Sequence, residues 1–333
     1  MSVKTAKVWL YVKEFKGEVN SSNFELIEEQ INEIQDGEFL AEAIYLSVDP
    51  YQRTFQLQFP IGHVIIGRQV AKIIESKNEN FPIGSLVFGN FGWRSLTIVD
   101  PKTFKNKYDL YLLPDIGQLS SSLALGVLGM PGNSAYYGFL DLCRPKEGET
   151  VAISAAAGAV GSIVGQIAKI KGCKVIGFAG SDEKCKWLET ELGFDKAINY
   201  KSENIEDQLK KAAPKGVDCY FDNVGGTLSS IIIDQMAMFG RISICGAITS
   251  YNDKRVMVPS LTNFHRRNLR MEGFMNYRWI DQWMKEGMFE MLKWIQEGKI
   301  KCQETITEKF ENTPKAFIEL FTGGNVGKAI VKI

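Results

Sequence analysis

Histidine is almost missing from this chain: its 333 residues carry two, His63 and His265, far apart. The six cysteines, Cys143, Cys173, Cys185, Cys219, Cys245 and Cys302, stand singly, with no C-x-x-C pair. Zinc sites are built from clustered imidazoles and thiolates, and disulfide frameworks from paired cysteines in short secreted chains, so neither a metal site nor a disulfide is expected. Net charge is missing too. The 39 basic and 39 acidic side chains cancel, which leaves no electrostatic footprint for nucleic acid or an anionic membrane. No apolar run approaches the ~20 residues that span a bilayer. The apolar patch at residues 8–12, between Lys7 and Lys13, is too short for a signal-peptide core and lacks a small-residue cleavage site. It reads as a first strand, and the protein as cytoplasmic.

What is present is the balance of a soluble globular protein, 45% apolar and 23% charged residues, in a chain too long for one ordinary core. There are no repeats or low-complexity tracts. The early part reads as short β segments broken by Gly, Pro and Asp, at residues 39–46, 69–75, 85–88 and 95–99. From residue 123 the texture changes to apolar strands alternating with helix-period stretches, the pattern of a parallel α/β sheet. Strands are expected at 150–154, 174–178, 196–199, 217–222, 241–245 and 269–273, and helices at 159–171, 181–192, 205–213, 228–239 and 281–297. A strand at 304–310, a helix at 314–321 and a strand at 328–333 look like the early part again. The expectation is therefore one domain from residues 1–122 and 303–333, interrupted by a second at 123–302.

The most informative stretch is Val151-Ala-Ile-Ser-Ala-Ala-Ala-Gly-Ala-Val-Gly-Ser162. An apolar strand enters a turn of small residues and a helix follows. Ala156, Gly158 and Gly161 take the glycine positions of G-x-G-x-x-G. Gly158 lets the backbone approach a pyrophosphate, Gly161 lets the helix pack on its strand, and the helix N-terminus faces the phosphates. The strand–turn–helix context makes the motif meaningful. The end of the next strand chooses the cofactor. An NAD enzyme places Asp or Glu there for the ribose hydroxyls, but this chain reads Phe178-Ala-Gly-Ser-Asp-Glu-Lys184. Ser181 and Lys184 offer a donor and a charge to a 2′-phosphate, and Asp182 is placed to cap or charge the following helix. NADPH is the expected cofactor.

The stretches Asp49-Pro-Tyr-Gln-Arg53, Gly129-Met-Pro-Gly132, Gly180-Ser-Asp-Glu-Lys184, Tyr220-Phe-Asp-Asn-Val-Gly-Gly226 and Cys245-Gly-Ala-Ile-Thr-Ser-Tyr-Asn252 together resemble the zinc-free prostaglandin reductases of the medium-chain dehydrogenase/reductase superfamily. Plant alkenal double-bond reductases share most of them. The resemblance covers nearly the whole chain. It implies an α/β fold with a doubly wound Rossmann sheet, a GroES-like β-rich substrate domain, and a cleft between them. By local match it implies that Ala159, Val160, Gly161 and Ser162 face the pyrophosphate, beside Gly158 of the motif. Lys184 and Tyr200 bracket the 2′-phosphate, and Asn223 lies close to the cofactor. Cys245, Gly246, Ala247, Ile248, Thr249, Ser250 and Tyr251, with Phe274, Met275 and Asn276, line the nicotinamide end, and Asn325 reaches it from the returning segment. It also implies a homodimer. Metal-dependent cousins carry Gly-His-Glu where this chain has Gly67-Arg-Gln69, and a Cys near Asp49. Residues 54–65 depart from the prostaglandin reductase pattern and bear on the substrate mouth.

The implied reaction is NADPH-dependent reduction of the double bond of enones and enals, oxidised lipids such as 15-oxoprostaglandins included. Leukotriene B4 12-hydroxydehydrogenase activity is a secondary implication. Charge develops on the carbonyl oxygen and needs a hydrogen-bond donor. The candidates are the nicotinamide ribose hydroxyl and Tyr251, while Tyr51 either lines the cleft or organises the proton supply. Cys245 reads as a buried small hydrophobe, His63 as a loop residue, and Trp279 and Trp283 as core or interface. Arg53 is expected to hold a backbone carbonyl or Asp49, with a substrate carboxylate as the alternative. A quinone reductase and a non-catalytic NADPH-binding protein are the competing readings. No nucleic acid or membrane partner is expected.

Overall fold

The computed structural model describes residues 4–106, 108–202, 204–251 and 262–333. Asn252, the last residue of the Cys245 motif, lies outside them. The chain forms two compact units, Met1–Leu125 with Glu304–Asn325 and Ala329–Ile333, and Gly126–Gln303 with Val326–Lys328.

The first unit carries a seven-stranded sheet in the order Glu304–Glu308, Lys328–Lys332, Phe39–Ser47, Gln69–Ser76, Leu86–Gly89 and Leu110–Leu112, with Leu96–Val99 paired to Phe39–Ser47. Thr5–Tyr11 and Phe24–Gln30 make a separate antiparallel pair. Its principal core is aromatic. Trp93 is fully buried, Phe24 stacks on it at 5.7 Å, and Phe317 meets it edge-on at 5.6 Å. Phe317 comes from the helix Thr313–Thr322. Burying such a ring is worth about 1.5–3 kcal/mol, so the returning segment is part of the core of the first 100-odd residues rather than an appendage.

The second unit is a six-stranded parallel sheet ordered Lys196–Asn199, Lys174–Ala179, Thr150–Ile153, Val217–Asp222, Met236–Ile244, Arg270–Gly273. This is the doubly wound order, and it reverses between Thr150–Ile153 and Val217–Asp222. The three strands Lys174–Ala179, Thr150–Ile153 and Val217–Asp222 are largely buried on both faces and read as near-continuous apolar runs, as parallel strands do. Among the described residues, no helix is long and apolar enough to cross a membrane.

Two details differ from the sequence reading. The helix expected at 228–239 forms as Gly226–Asp234, and the next strand begins at Met236. Met236 pairs with Val217, and Phe239 takes a left-handed conformation, φ 62°, as the chain turns into the sheet. Sheet pairing overrode a pattern that a helix could equally satisfy. The helix Met130–Cys143 was not anticipated. Pro131, Asn133, Ala135, Gly138, Phe139 and Leu142 are all buried, so its faces give no clean apolar stripe.

An ion pair fixes the end of that helix. Arg241 Nε donates to the Cys143 carbonyl at 2.8 Å and Nη2 to the Arg144 carbonyl at 3.2 Å. The two Nη groups also grip the Glu149 carboxylate at 3.1 and 2.5 Å. The side chains are 19% and 18% exposed. Burial alone would raise the Glu149 carboxyl, but hydrogen bonds from Arg241 and the Lys146 amide outweigh it and hold it below its usual value.

A depressed carboxylate pKa contributes stability above its unfolded value that is lost as pH falls through the folded value. Arg241→Met leaves a partly buried carboxylate and loose carbonyls, and should cost about 2–4 kcal/mol at neutral pH. Urea unfolding checks this: the gap between wild type and variant should be full near neutrality and narrow below about pH 4. A gap independent of pH would show that the carboxylate contributes nothing.

Candidate active site

The small-residue turn is built by close approach. Ala155 is left-handed, φ 47°, and its carbonyl accepts from Gly158 N–H at 3.0 Å. A Cβ on Gly161 would lie 2.4 Å from that same carbonyl, so only glycine begins the helix Gly161–Ile170. No side chain caps this helix. Among the described residues, the Ala159 and Val160 amides have no backbone acceptor. They stand at the positive end of the helix dipole, where an anion is favoured. Gly161 and Ser162 are buried against the strand. Gly327 bridges to Gly158 and donates to the Ala157 carbonyl at 2.8 Å, and Asn325 lies two residues before it.

At the end of the neighbouring strand, Gly180 lies under the Tyr200 hydroxyl, which a Cβ there would approach to 2.7 Å. Ser181 caps the helix Asp182–Thr190 by accepting from the Lys184 amide at 3.3 Å. Asp182 is turned to Asn199, whose Nδ2 donates to it at 2.9 Å. Burial lowers the Lys184 ammonium, and the charge of Lys201 lowers it further. Lys201 is therefore a second cation at this corner. The sequence reading missed it, although it follows Tyr200 directly.

At the reversal of strand order, Asp222 is the organiser, another residue the sequence reading did not single out. It is 2% exposed. Its Oδ1 accepts from Ser154 Oγ at 2.9 Å and from the Val224 and Gly225 amides at 2.9 and 3.0 Å, and Oδ2 accepts from Ser229. Its carbonyl accepts from the Cys245 and Gly246 amides at 2.8 and 3.2 Å. Asn223 is clamped onto Ser154 through its backbone N–H and its Nδ2, both at 2.8 Å. Thr249 Oγ1 donates to the Val224 carbonyl at 2.7 Å, which draws the short helix Ile248–Ser250 toward the same point. Tyr251 follows that helix, and its hydroxyl lies near Gly246, 3.6 Å from where a Cβ would be. Burial raises the Tyr251 phenol and pushes the Cys245 thiol up to about 12. Cys245 is thus a neutral thiol near pH 7, not a nucleophile.

Phe274 follows the edge strand and is part-buried; its ring packs on Phe221 at 6.2 Å and Trp279 at 5.3 Å. Met275 is 46% exposed, and the Asn276 carbonyl accepts from Asn133 at 3.0 Å. Trp279 and Trp283 are buried core residues.

In the first unit, Tyr51 starts the short helix Tyr51–Phe55. Burial pushes its phenol up to about 12, against the opposing charge of Arg68. Arg53 is 3% exposed. It donates to the Phe15 and Gly17 carbonyls at 2.8 and 3.3 Å and lies over the Phe15 ring. Of the readings left open for it, the backbone-holding one stands; Asp49 instead takes the Ser47 hydroxyl. His63 stacks on Phe59 at 4.4 Å and meets the Val64 carbonyl. Among the described residues, no three His, Cys, Asp or Glu side chains are grouped to hold a metal ion.

Two families match the chain, one described as the N-terminal domain of oxidoreductase at residues 7–106 and one as zinc-binding dehydrogenase at residues 159–297. Prostaglandin reductase 1 from Bos taurus is 50% identical over 330 residues, 98% of this chain and 99% of the relative. The NADP(+)-dependent 2-alkenal reductase of Nicotiana tabacum is 38% identical over 335 residues, 97% of this chain and 94% of the relative. Among solved structures, CurA of Vibrio vulnificus in complex with NADPH superposes with a TM-score of 0.90 at 35% identity, covering 98% of each chain. With half its residues shared end to end with a mammalian relative, the chain belongs to the prostaglandin reductase family of the medium-chain dehydrogenase/reductase superfamily.

Proposed function

We propose that this protein uses NADPH to reduce the carbon–carbon double bond of α,β-unsaturated ketones and aldehydes, oxidised lipids such as 15-oxoprostaglandins among them. The observation that carries the reading is the convergence at Asp222. One buried carboxylate holds Ser154 and the Val224 and Gly225 amides, and its own carbonyl holds Cys245 and Gly246. The residues fit the cofactor. The Gly161 close approach and the Ala159 and Val160 amides suit a pyrophosphate. Lys184 and Lys201 are two cations for a 2′-phosphate, beside Tyr200. Asp182, committed to Asn199, is not the ribose acid of an NAD enzyme. Bound there, NADPH supplies a hydride to the electron-poor β-carbon of the substrate.

The protein's own part is to answer the negative charge that builds on the carbonyl oxygen. A phenol with a raised pKa stays protonated near neutrality and remains a donor. Tyr251 is the proposed donor, from a loop that Asp222 and Val224 hold in place. Such a prepositioned donor lowers the barrier by several kcal/mol at about 3–4 per donor. Tyr51, also protonated, lines the substrate side, and water supplies the α-carbon proton. Cytoplasmic location and a homodimer complete the proposal. The edge strand Arg270–Gly273, with Met271 39% exposed, is a natural place for a second copy to extend the sheet.

NADPH oxidation should be fastest with enones and enals in a panel that includes quinones and alcohols; faster quinone turnover would favour a quinone reductase instead. Lys184→Ala should weaken NADPH by about 1–3 kcal/mol and leave NADH nearly unchanged. Equal weakening of both cofactors, read by fluorescence titration, would remove Lys184 from the 2′-phosphate site. Tyr251→Phe should lower kcat and kcat/KM together by about 10- to 1000-fold with folding and NADPH affinity kept. An unchanged single-turnover rate would return Tyr251 to the cavity wall.

A further inference from the structure

The strand Met236–Ile244 enters the parallel sheet through a bulge. Met236 pairs with Val217 and Arg241 with Cys219, so Asp218 alone stands opposite Ala237, Met238, Phe239 and Gly240. Extra residues of this kind bend the strand away from its partner. Met238 is 53% and Phe239 66% exposed. Phe239 is also left-handed, φ 62°, a conformation that a bulky side chain enters at a cost and that Gly or Asn adopts freely. One residue thus carries two costs, an exposed ring and a strained backbone, that Gly or Asn would remove. Strain of this kind gathers at functional positions.

Cations flank the bulge on both sides. Gly216 lies against it, since a Cβ there would come within 2.9 Å of the Ala237 nitrogen. Lys215, beside Gly216, is exposed, as are Lys210 and Lys211 in the last turn of the helix Ile205–Ala212. On the other side, Arg267 donates to the Met236 carbonyl at 2.6 Å, and Arg270 is in register with Arg241. Arg266 and Arg270 are exposed. Asp218, Asp234 and Glu272 lie on the same segments, but each is occupied. They accept from the Thr150 amide at 2.8 Å, from Asn263 at 2.5 Å, and from Arg270 and Arg278 at 2.5 and 2.6 Å. Helix C-termini account for cations in their last turns. They do not account for Lys215 and Arg270, which lie beyond the helices, nor for two apolar side chains exposed between them.

A second copy is a poor occupant, because a two-fold axis at the bulge would set these cations against themselves. An anionic bilayer suits both features: its headgroups answer the lysines and arginines, and its interface takes an aromatic ring and a thioether. The bulge lies where the parallel strands start, whereas the small-residue turn, Asp222 and Cys245 lie where they end. Docking there leaves the cofactor end of this unit free. We infer that this face of the second unit is a membrane-docking surface: Met238 and Phe239 enter the headgroup layer of an anionic lipid bilayer, held there by Lys211, Lys215 and Arg266. The neutral total of the chain gives no sign of such a face, and the inference does not rest on the reaction proposed above.

Vesicle sedimentation of the whole protein tests it. Wild type should bind phosphatidylcholine vesicles containing about a third phosphatidylserine at about 0.1 M salt. Binding should be about tenfold or more weaker without phosphatidylserine, and likewise at about 0.5 M salt. Phe239→Asn suits the left-handed backbone and removes the ring. It should weaken binding about tenfold or more and leave thermal stability equal or higher. Lys215→Glu combined with Arg266→Glu should abolish binding to the anionic vesicles. NADPH affinity and gel-filtration elution should match wild type in both variants, which separates a lost surface from a lost fold. Wild type that binds no vesicle, binding indifferent to phosphatidylserine, or binding unchanged in F239N overturns the inference. So does a smaller oligomer in F239N, which would make the bulge a contact between copies.

Discussion

The buried carboxylate of Asp222 is the contact on which the rest of the second unit's site depends. A carboxylate at 2% exposure survives only if its lone pairs are filled, and here they take two hydroxyls and two amides. Those donors belong to the strand carrying the small-residue turn, the loop after Asp222 itself, and the following helix. The Asp222 carbonyl adds the loop that ends at Tyr251. One side chain thus ties together the segments that a doubly wound sheet leaves side by side where its strand order reverses. Hydrogen bonds to a charged acceptor are the stronger kind, so these loops are held rather than merely neighbouring.

Charge elsewhere in the molecule divides into two kinds. Arg241 with Glu149, and Arg53 with its two carbonyls, are spent on holding backbone. Lys184 and Lys201 instead stand close enough to repel one another, and Arg68 lies among aromatic rings without an ion pair among the described residues. Placing like charges together costs free energy, which an anion between them would offset, whereas a cation over a ring is held by it. The neutral composition of the chain conceals these sites, because a sum over 78 charged side chains carries no information about where they gather.

The parallel sheet was legible because its strands and helices announce themselves over a few residues each. The exceptions have definite causes. The stretch 228–239 satisfied a helical period, yet pairing of Met236 with Val217 converted its second half into strand. Met130–Cys143 was invisible because a helix buried on nearly every face has no polar stripe to reveal it. Phe274, which the family resemblance puts at the nicotinamide end, is part-buried and rests on Phe221 and Trp279; its contact with Phe221, far from it along the chain, is one that no local pattern shows.

Sequence alone determined the glycine-rich turn, the missing ribose acid and the cofactor class they imply, because each is a local requirement: a Cβ at Gly161 collides with Ala155 six residues away. It also determined the family, since motifs from Asp49 to Tyr251 occur together. Only the tertiary structure decided what each arginine meets. Arg53 and Arg68 flank the same uncharged stretch and look alike in one dimension. Arg53 meets carbonyls 36 and 38 residues before it, whereas Arg68 meets a ring on another strand. Asp222 likewise gains its meaning from Ser154, 68 residues earlier. Partners at such separations are chosen by how the sheets close, and no local pattern of the chain encodes them.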